Sequence, residues 1–195
     1  MASLEILKNK KIILASQSPR RRNLINGLDI SVELVDPPDS DESFPSGMNP
    51  FEVPEYLARK KAECINEKFD SDSILVTADT IVLCDGEIIN KPGDYADALR
   101  MLQTISDNKH TVITGVCLKS DEKETTFSSI TEVYFTKLST EEIEYYLNKY
   151  KPYDKAGAYG IQEWIGYVGV DRIEGSFFNV MGLPLHKLYS ELKKF

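Results

Sequence analysis

Short apolar runs alternate with helix-like spacings along this chain, and together they predict a mixed α/β architecture. Lys11–Ala15 and Ile30–Val35 are short apolar runs of the length typical of strands. Two further runs, Ser73–Ala78 and Ile81–Cys84, flank a polar pair, and Asp85–Gly86 then predicts a tight hairpin. Because the two strands of a hairpin are antiparallel, the pattern favours a central mixed sheet with flanking helices over a purely parallel one.

The predicted helices are marked by signals at their ends and by apolar residues three or four positions apart. Ser18 before Pro19 is a good N-cap with proline at the first helical position. Ser139 and Glu142 have the spacing of a capping box. The remaining predicted helices are one that starts at Asn49–Pro50 and runs to Ile65, Asp94–Ile105 and Leu183–Leu192. The remaining predicted strands are Thr111–Leu118, Phe127–Thr136 and Tyr167–Ile173.

Composition narrows the classes of partner and compartment. The net charge of −8 disfavours a nucleic-acid partner, because an acidic surface repels phosphates. No apolar run approaches the roughly 20 residues needed to span a bilayer, and the first residues lack the apolar stretch of a signal peptide. We therefore expect no membrane association and a cytoplasmic location. The sequence shows no repeat and no linker, so residues 1–195 are expected to form a single domain.

Two stretches combine strand ends with charged residues. Ser16–Arg22 lies where a strand gives way to a helix, and free backbone N–H groups, hydroxyls and guanidiniums there suit a phosphate. The alternative is a capped surface helix with a solvated basic turn. Asp79, within apolar strand residues, is a candidate metal ligand or proton acceptor, because a buried carboxylate is costly without a partner. Its alternative is an aspartate that caps a turn.

The other candidate groups lie in loops. Several lysines would neutralise a polyphosphate if they faced Asp79, and the alternative is an ordinary charged surface. Gln162, at the end of a segment rich in glycine and tyrosine, has the donor and acceptor needed to read a pyrimidine edge. Clustered carboxylates in the loop that starts at Asp36 suit a divalent cation, or else form a solvated acidic loop. These carboxylates and lysines are Asp39, Asp41, Glu42, Lys60, Lys61 and Lys91.

Taken in chain order, these stretches resemble the Maf family of nucleotide pyrophosphatases over about residues 12–188. The matching stretches are Ala15–Arg21, Asp41-Glu42, Lys61-Ala62, Ala78-Asp79-Thr80, Gly86 to Lys91-Pro92, Asp154–Gln162, and Gly175-Ser176 through Asn179–Pro184. The sequence departs from the family pattern at Glu163-Trp164, where many relatives have glycine.

The resemblance implies a fold similar to that of inosine-triphosphate pyrophosphatases, with a deep cleft. It implies an enzyme that hydrolyses a nucleoside triphosphate, dTTP or UTP, to the monophosphate and pyrophosphate with a divalent cation, Mg²⁺ or Mn²⁺. Removal of non-canonical nucleotides is a further expectation. By position, the resemblance assigns proton acceptance to Asp79, base specificity to Arg20, Thr80 and Gln162, and phosphate contacts to Ser16, Arg21, Lys61 and Lys91. Glu42 matches a carboxylate that binds a metal or positions water, and we expect Glu42 and Asp79 together to hold the cation.

Two alternatives to this function stay open at the level of sequence. One is a Maf-type pyrophosphatase for another base, such as 7-methyl-GTP, CTP or a modified pyrimidine. The other is a non-catalytic nucleotide-binding regulator of cell division. The aromatic-rich stretch around Tyr145–Tyr153 also suggests a homodimer.

Overall fold

A computed structural model of the chain describes residues 7, 10–65 and 72–195. Seven strands are described: β1 Lys11–Ala15, β2 Val32–Val35, β3 Ser73–Cys84, β4 Glu87–Ile89, β5 Lys109–Lys119, β6 Glu124–Phe135 and β7 Val170–Glu174. The described α-helices are α1 Pro19–Asn26, α2 Val53–Glu63, α3 Tyr95–Ile105, α4 Thr140–Tyr150, α5 Trp164–Gly169, α6 Phe177–Val180 and α7 Leu185–Leu192. A 3₁₀ turn spans Ala156–Ala158.

The sheet is mixed, as the hairpin signal predicted. In the described part of the chain its hydrogen-bonded order is β2-β1-β3-β5-β6-β7, with β4 paired to β3. β1 runs parallel to both β2 and β3, whereas β3–β4 and β6–β7 are antiparallel. At the β3–β4 turn Asp85 and Gly86 both have positive φ, the conformation for which the Asp-Gly pair is favoured in two-residue hairpins. The predicted mixed α/β class, with helices flanking a central sheet, is confirmed.

The chain forms two compact units, and it passes from one unit to the other several times. The first unit comprises the described residues of Met1–Asp79, Thr114–Ser129 and Gly182–Phe195, and the second comprises Thr80–Ile113 and Ile130–Met181. Three of the four boundaries fall within β3, β5 and β6, and the fourth lies between α6 and α7. The assignment of residues 1–195 to one domain, and the deep cleft, stay predictions.

In the first unit, helix α2 packs on the sheet through small residues. Ala58 and Ala62 of α2 are fully buried against Ile13 of β1 and Leu75 of β3. Gly115 of β5 lets the helix backbone come unusually close, because a Cβ there would lie 2.2 Å from the carbonyl carbon of Pro54. Strand β3 and helix α2 are therefore held at short distance, and both carry predicted site residues.

In the second unit, α3 and α4 cover the apolar face formed by β3, β5 and β6. Leu102 and Ile105 of α3, and Tyr146 and Leu147 of α4, are fully buried in this core. The capping box predicted at the start of α4 is present: the Ser139 hydroxyl accepts from the Glu142 N–H, and the Glu142 carboxylate accepts from the Ser139 N–H.

Several predicted boundaries were wrong. β3 is one continuous strand of 12 residues through Asp79 and Thr80, not two runs. α2 begins at Val53 and not at Asn49–Pro50, where a turn precedes the helix. The predicted strand over Tyr167–Ile173 is instead the end of α5 followed by β7.

Candidate active site

The junction between β1 and α1 is fixed by its own side chains. Ser16 is buried, and its hydroxyl accepts from the Ser18 N–H at 3.2 Å, while Ser18 caps α1 by accepting from the Arg21 N–H. Arg22 donates to the Ser16 carbonyl at 2.7 Å and to Asp36 at 2.5 Å. These hydrogen bonds fix the basic turn, and Arg22 stabilises it.

The Arg21 side chain extends from this junction to β3, near Asp79, where the first unit ends within that strand. Its Nε donates to the Gly182 carbonyl and its Nη1 to the Ala78 carbonyl, both at 2.8 Å. Burial lowers the pKa of Arg21, and the negative charge of Asp79 opposes this shift. Arg20, the neighbouring predicted specificity residue, is half-buried, and its positive charge also lowers the Arg21 pKa. Arg21 thus places a partly buried guanidinium beside Asp79 and fixes the backbone that precedes Asp79.

Asp79 and two other predicted site residues form a cluster in the first unit. The Asp79 side chain is 11% exposed, and its Oδ1 lies 2.5 Å from Lys61 Nζ. The same ammonium group lies 2.9 Å from Glu42 Oε1. Lys61 belongs to α2 and Glu42 to the long loop after β2, so the fold brings three separate segments together. Two carboxylates and one ammonium at this spacing form a polar centre that can bind a cation–phosphate pair.

The other charges of the acidic loop are engaged at the surface. Asp41 accepts from Lys60 Nζ at 2.9 Å and from the Ser43 N–H and hydroxyl. Donation from Lys60, and then from Ser43, lowers the pKa of Asp41 far below its usual value, and Asp41 in turn raises the pKa of Lys60. Asp41 therefore pairs with Lys60, whereas the cluster of Asp79 contains Lys61, and Asp39 is exposed. Across the described ranges, no group of three or more His, Cys, Asp or Glu side chains could hold a metal by itself.

The second unit holds the remaining predicted residues. Thr80 follows Asp79 in β3 and is half-buried, and Lys91 is exposed just after β4. The carbonyl of Asn90 accepts from the Gly157 N–H at 3.2 Å, so the turn that carries Lys91 is bonded to the glycine-rich segment. Gly157 has positive φ, and a Cβ on it would lie 3.1 Å from Val82, so glycine is needed for this close packing.

Gln162 ends the glycine-rich segment in a turn. The Glu163 N–H donates to the Gly160 carbonyl at 2.9 Å, which closes a four-residue turn with Gln162 at its third position. Oε1 of Gln162 is buried and has no hydrogen-bond partner among the residues that the structure describes. An acceptor left in this state is costly unless a ligand satisfies it.

Sequence reasoning missed a second group of buried polar side chains, beside Gln162. Glu163 accepts from the hydroxyl of Tyr146, and its Oε1 lies 3.3 Å from Lys155 Nζ. Lys155 is 8% exposed and also bonds Asp154 at 2.7 Å. Glu163 itself could have pointed to this group, because it is an acidic residue at a position where the family pattern has glycine.

The structure thus defines a mixed α/β protein in which Asp79 of β3 forms a partly exposed cluster with Lys61 and Glu42. The same unit holds a basic strand–helix junction, and the other unit holds a glutamine turn. A family model described as Maf-like protein matches residues 11–195, which is nearly the whole chain. The chain belongs to the Maf family.

Curated relatives match at high identity over almost their full length. The chain is 54% identical over 194 residues to a dTTP/UTP pyrophosphatase of Porphyromonas gingivalis, with 98% of each chain covered. It is 55% identical over 192 residues to one of Parabacteroides distasonis, covering 98% of this chain and 100% of the relative. A dTTP/UTP pyrophosphatase of Flavobacterium psychrophilum is 48% identical over 182 residues, with 93% of each chain covered. Among solved structures, a HAM1 protein from Coxiella burnetii aligns at a TM-score of 0.49 and 15% identity, covering 95% of this chain and 100% of that chain.

Proposed function

We propose that this chain is a nucleoside triphosphate pyrophosphatase that hydrolyses dTTP and UTP to the monophosphate and pyrophosphate in the cytoplasm. Relatives that carry this name are 47–55% identical to it over nearly the whole chain. The observation that carries the proposal is the position of Asp79: it is buried on β3, with Lys61 at 2.5 Å and the Arg21 guanidinium beside it. In the described part of the chain, no helix is both long and apolar enough to cross a bilayer.

Asp79 is the proposed proton acceptor. A carboxylate oxygen takes a proton from water as the water oxygen bonds to the α-phosphorus, and the bond between that phosphorus and the bridging oxygen breaks. Pyrophosphate leaves with the bonding electrons, and the proton passes from Asp79 to solvent. Catalysis then depends on placing the carboxylate, which Arg21 does through the Ala78 carbonyl immediately before it.

The positive groups have a proposed role in binding the phosphates. Lys61 and Lys91 neutralise the β- and γ-phosphates, while Ser16 and Arg21 contact the phosphate chain from the β1–α1 junction. Lys61 already bonds two carboxylates, so a phosphate oxygen shares its ammonium with Asp79 and Glu42. An ammonium group has three N–H donors, which matches this number of partners.

A divalent cation, Mg²⁺ or Mn²⁺, is part of the proposal, and the residues present fit one. Glu42 and Asp79 supply hard oxygen donors that converge on one point, at 2.9 and 2.5 Å from the same nitrogen. Mg²⁺ in phosphate-transfer sites is commonly held by one or two carboxylates together with substrate phosphates, so a larger protein cluster is not required. When bound, the cation supplies charge stabilisation at the phosphates and acidifies a coordinated water.

Arg20, Thr80 and Gln162 are the proposed specificity residues. Thymine and uracil share an imide edge, with one N–H donor between two carbonyl acceptors. A glutamine amide presents one acceptor and two donors, so it can complement that edge, and the buried Oε1 of Gln162 lacks a donor in the described structure. The common edge explains why one site would take both dTTP and UTP. Removal of non-canonical nucleotides and a homodimer through the exposed Tyr145 and Tyr153 stay predictions.

Pyrophosphate release from a panel of triphosphates tests this function. dTTP and UTP are expected to be hydrolysed in preference to CTP, 7-methyl-GTP and ATP, and only with Mg²⁺ or Mn²⁺ present. Asp79→Asn should lower kcat/KM for dTTP by about 10²-fold or more, because a positioned proton acceptor is lost. Asp121→Asn, which changes an exposed turn residue in the same way, is the control and should match the wild type.

Near-normal turnover by Asp79→Asn with Mg²⁺ present would refute the proton-acceptor role. If the panel showed a preference for another base, the proposed substrate would be wrong and the proposed reaction would still hold. If no triphosphate yielded pyrophosphate, the enzyme itself would be ruled out.

A further inference from the structure

The turn that carries Gln162 is held at both ends by one hydroxyl group. Tyr146 Oη accepts from the Gly160 N–H at 3.0 Å and donates to the Glu163 carboxylate. Gly160 and Glu163 are the first and last residues of the turn, so a single oxygen of α4 joins the two ends across Gln162. Burial first, and the neighbouring Glu163 second, raise the pKa of Tyr146, so its hydroxyl remains a donor at neutral pH.

Gly160 is the point of closest approach within this turn. A Cβ at Gly160 would lie 2.8 Å from Cδ of Glu163 and 3.0 Å from Nε2 of Gln162. Both side chains therefore fold back over the glycine, and the position of the glutamine amide depends on where Glu163 lies. The backbone carbonyl of Gln162 is also bonded, by the hydroxyl of Tyr167 at 3.0 Å.

Lys155 supplies the charge that lets a carboxylate occupy this place. The Glu163 side chain is 19% exposed and the Lys155 side chain is 10% exposed, so the carboxylate of Glu163 would be costly here without a positive partner, and Lys155 provides it while also bonding Asp154. Glu163 thus has three functions in one position: it ends the turn, it accepts from Tyr146, and it balances Lys155. Its two partners come from α4 and from the segment before the 3₁₀ turn.

We propose that Tyr146, Glu163 and Lys155 are positioning residues for base selectivity: they fix the Gly160–Glu163 turn so that the buried acceptor of Gln162 meets the imide N–H of the pyrimidine. This inference rests on the proposed function and extends it. The three residues do not contact the phosphates in this scheme, so their loss should affect recognition of the base and spare recognition of the polyphosphate.

Tyr146→Phe tests the inference, because it removes one oxygen and keeps the buried ring. We expect kcat/KM for dTTP and UTP to fall about tenfold, the effect of losing one hydrogen bond to a charged group. Tripolyphosphate has no base, so its inhibition constant as a competitor of UTP should stay within about twofold of the wild type. Tyr150→Phe is the matched control: Tyr150 stacks on Tyr146 one helical turn later, and its kcat/KM should be unchanged.

Conservative rescue separates positioning from charge. Glu163→Gln keeps an oxygen that accepts from Tyr146, and should retain more base selectivity than Glu163→Ala. The inference is overturned if the tripolyphosphate constant weakens by the same factor as kcat/KM in Tyr146→Phe, which is the signature of general structural loss. It is equally overturned if Tyr146→Phe keeps the wild-type kcat/KM for both substrates. Failure of the proposed function is distinguishable, since the wild type itself would then release no pyrophosphate from dTTP or UTP.

Discussion

Gly115 is the position at which a single methyl group should connect packing to catalysis. Its place in β5 faces the first turn of α2, and Gly115→Ala would put a Cβ 2.2 Å from the carbonyl carbon of Pro54 and 2.3 Å from the Glu55 nitrogen. Both are backbone atoms of a helix, so no side-chain rotation can relieve the contact. The strand or the helix has to move.

The required movement can be worked out from the contact. Ordinary van der Waals separation begins at 3.4 Å, so the gap must open by 3.4 − 2.2 = 1.2 Å. Overpacking of this kind costs about 3 kcal/mol in the free energy of unfolding. Lys61 lies on the same rigid helix, and its Nζ is 2.5 Å from Asp79. A shift of about 1 Å takes that pair beyond good hydrogen-bond distance, and a misplacement of this size can lower kcat/KM about 10²-fold.

Chemical denaturation and pyrophosphate release, measured on the same preparations, check both parts. Gly93→Ala is the matched control, because nothing lies within 4 Å of its Cβ, and its stability should change by less than about 0.5 kcal/mol. If Gly115→Ala is as stable as Gly93→Ala, the close packing of α2 on β5 is wrong. If it is destabilised yet keeps wild-type kcat/KM for dTTP, the dependence of the site on the position of α2 is wrong.

Two further predictions concern buried titratable groups. Burial raises the pKa of Cys84 to about 11 and that of Cys117 to about 12, so both remain thiols at pH 8. Iodoacetamide should therefore modify only the half-buried Cys64 in the native protein and all three cysteines after denaturation, as measured by mass spectrometry. Burial lowers the pKa of His110 to about 4, so its contribution to stability is complete above the unfolded pKa near 6.5 and is lost as the pH falls towards 4. That contribution to the free energy of unfolding is about 3 kcal/mol. In urea unfolding, the free energy of unfolding should therefore fall less between pH 6.5 and 4 in His110→Gln than in the wild type. An equal fall in the two proteins would contradict the prediction.

The elements that depend on local signals were predicted well from sequence. Asp85-Gly86 fixes the β3–β4 hairpin, and Ser18-Pro19 starts α1, because turn and cap preferences act over a few residues. The strand expected over Tyr167–Ile173 begins only at Val170, and the reason for its wrong start is non-local. Gly166 lets α5 pack against the Ile161 carbonyl, where a Cβ would lie 1.8 Å away, and no pattern within the segment announces that contact.

In the candidate site, too, local features could be predicted from the sequence and non-local contacts could not. That Asp79 needs a partner follows from its apolar surroundings, but Lys61 and Glu42 are 18 and 37 residues away in the chain, and spacing alone does not bring them together. They were predicted through family resemblance. The bonds between Tyr146, Lys155 and Glu163 were not predicted at all, because each of these residues reads locally as an ordinary loop or helix position.

Strand β3 has one further consequence, for tolerance to insertions and deletions. Its first residues are in parallel register with β1, Lys11 opposite Ser73 through Leu14 opposite Val76, and its last are in antiparallel register with β4, Val82 opposite Ile89. Asp79 and Thr80 lie between these two fixed registers and, as neighbours in a strand, point to opposite faces of the sheet. Losing or gaining one residue between Thr77 and Ile81 would exchange those faces unless one register broke. A one-residue insertion or deletion here would therefore disturb the fold more than most single substitutions in the surrounding strand.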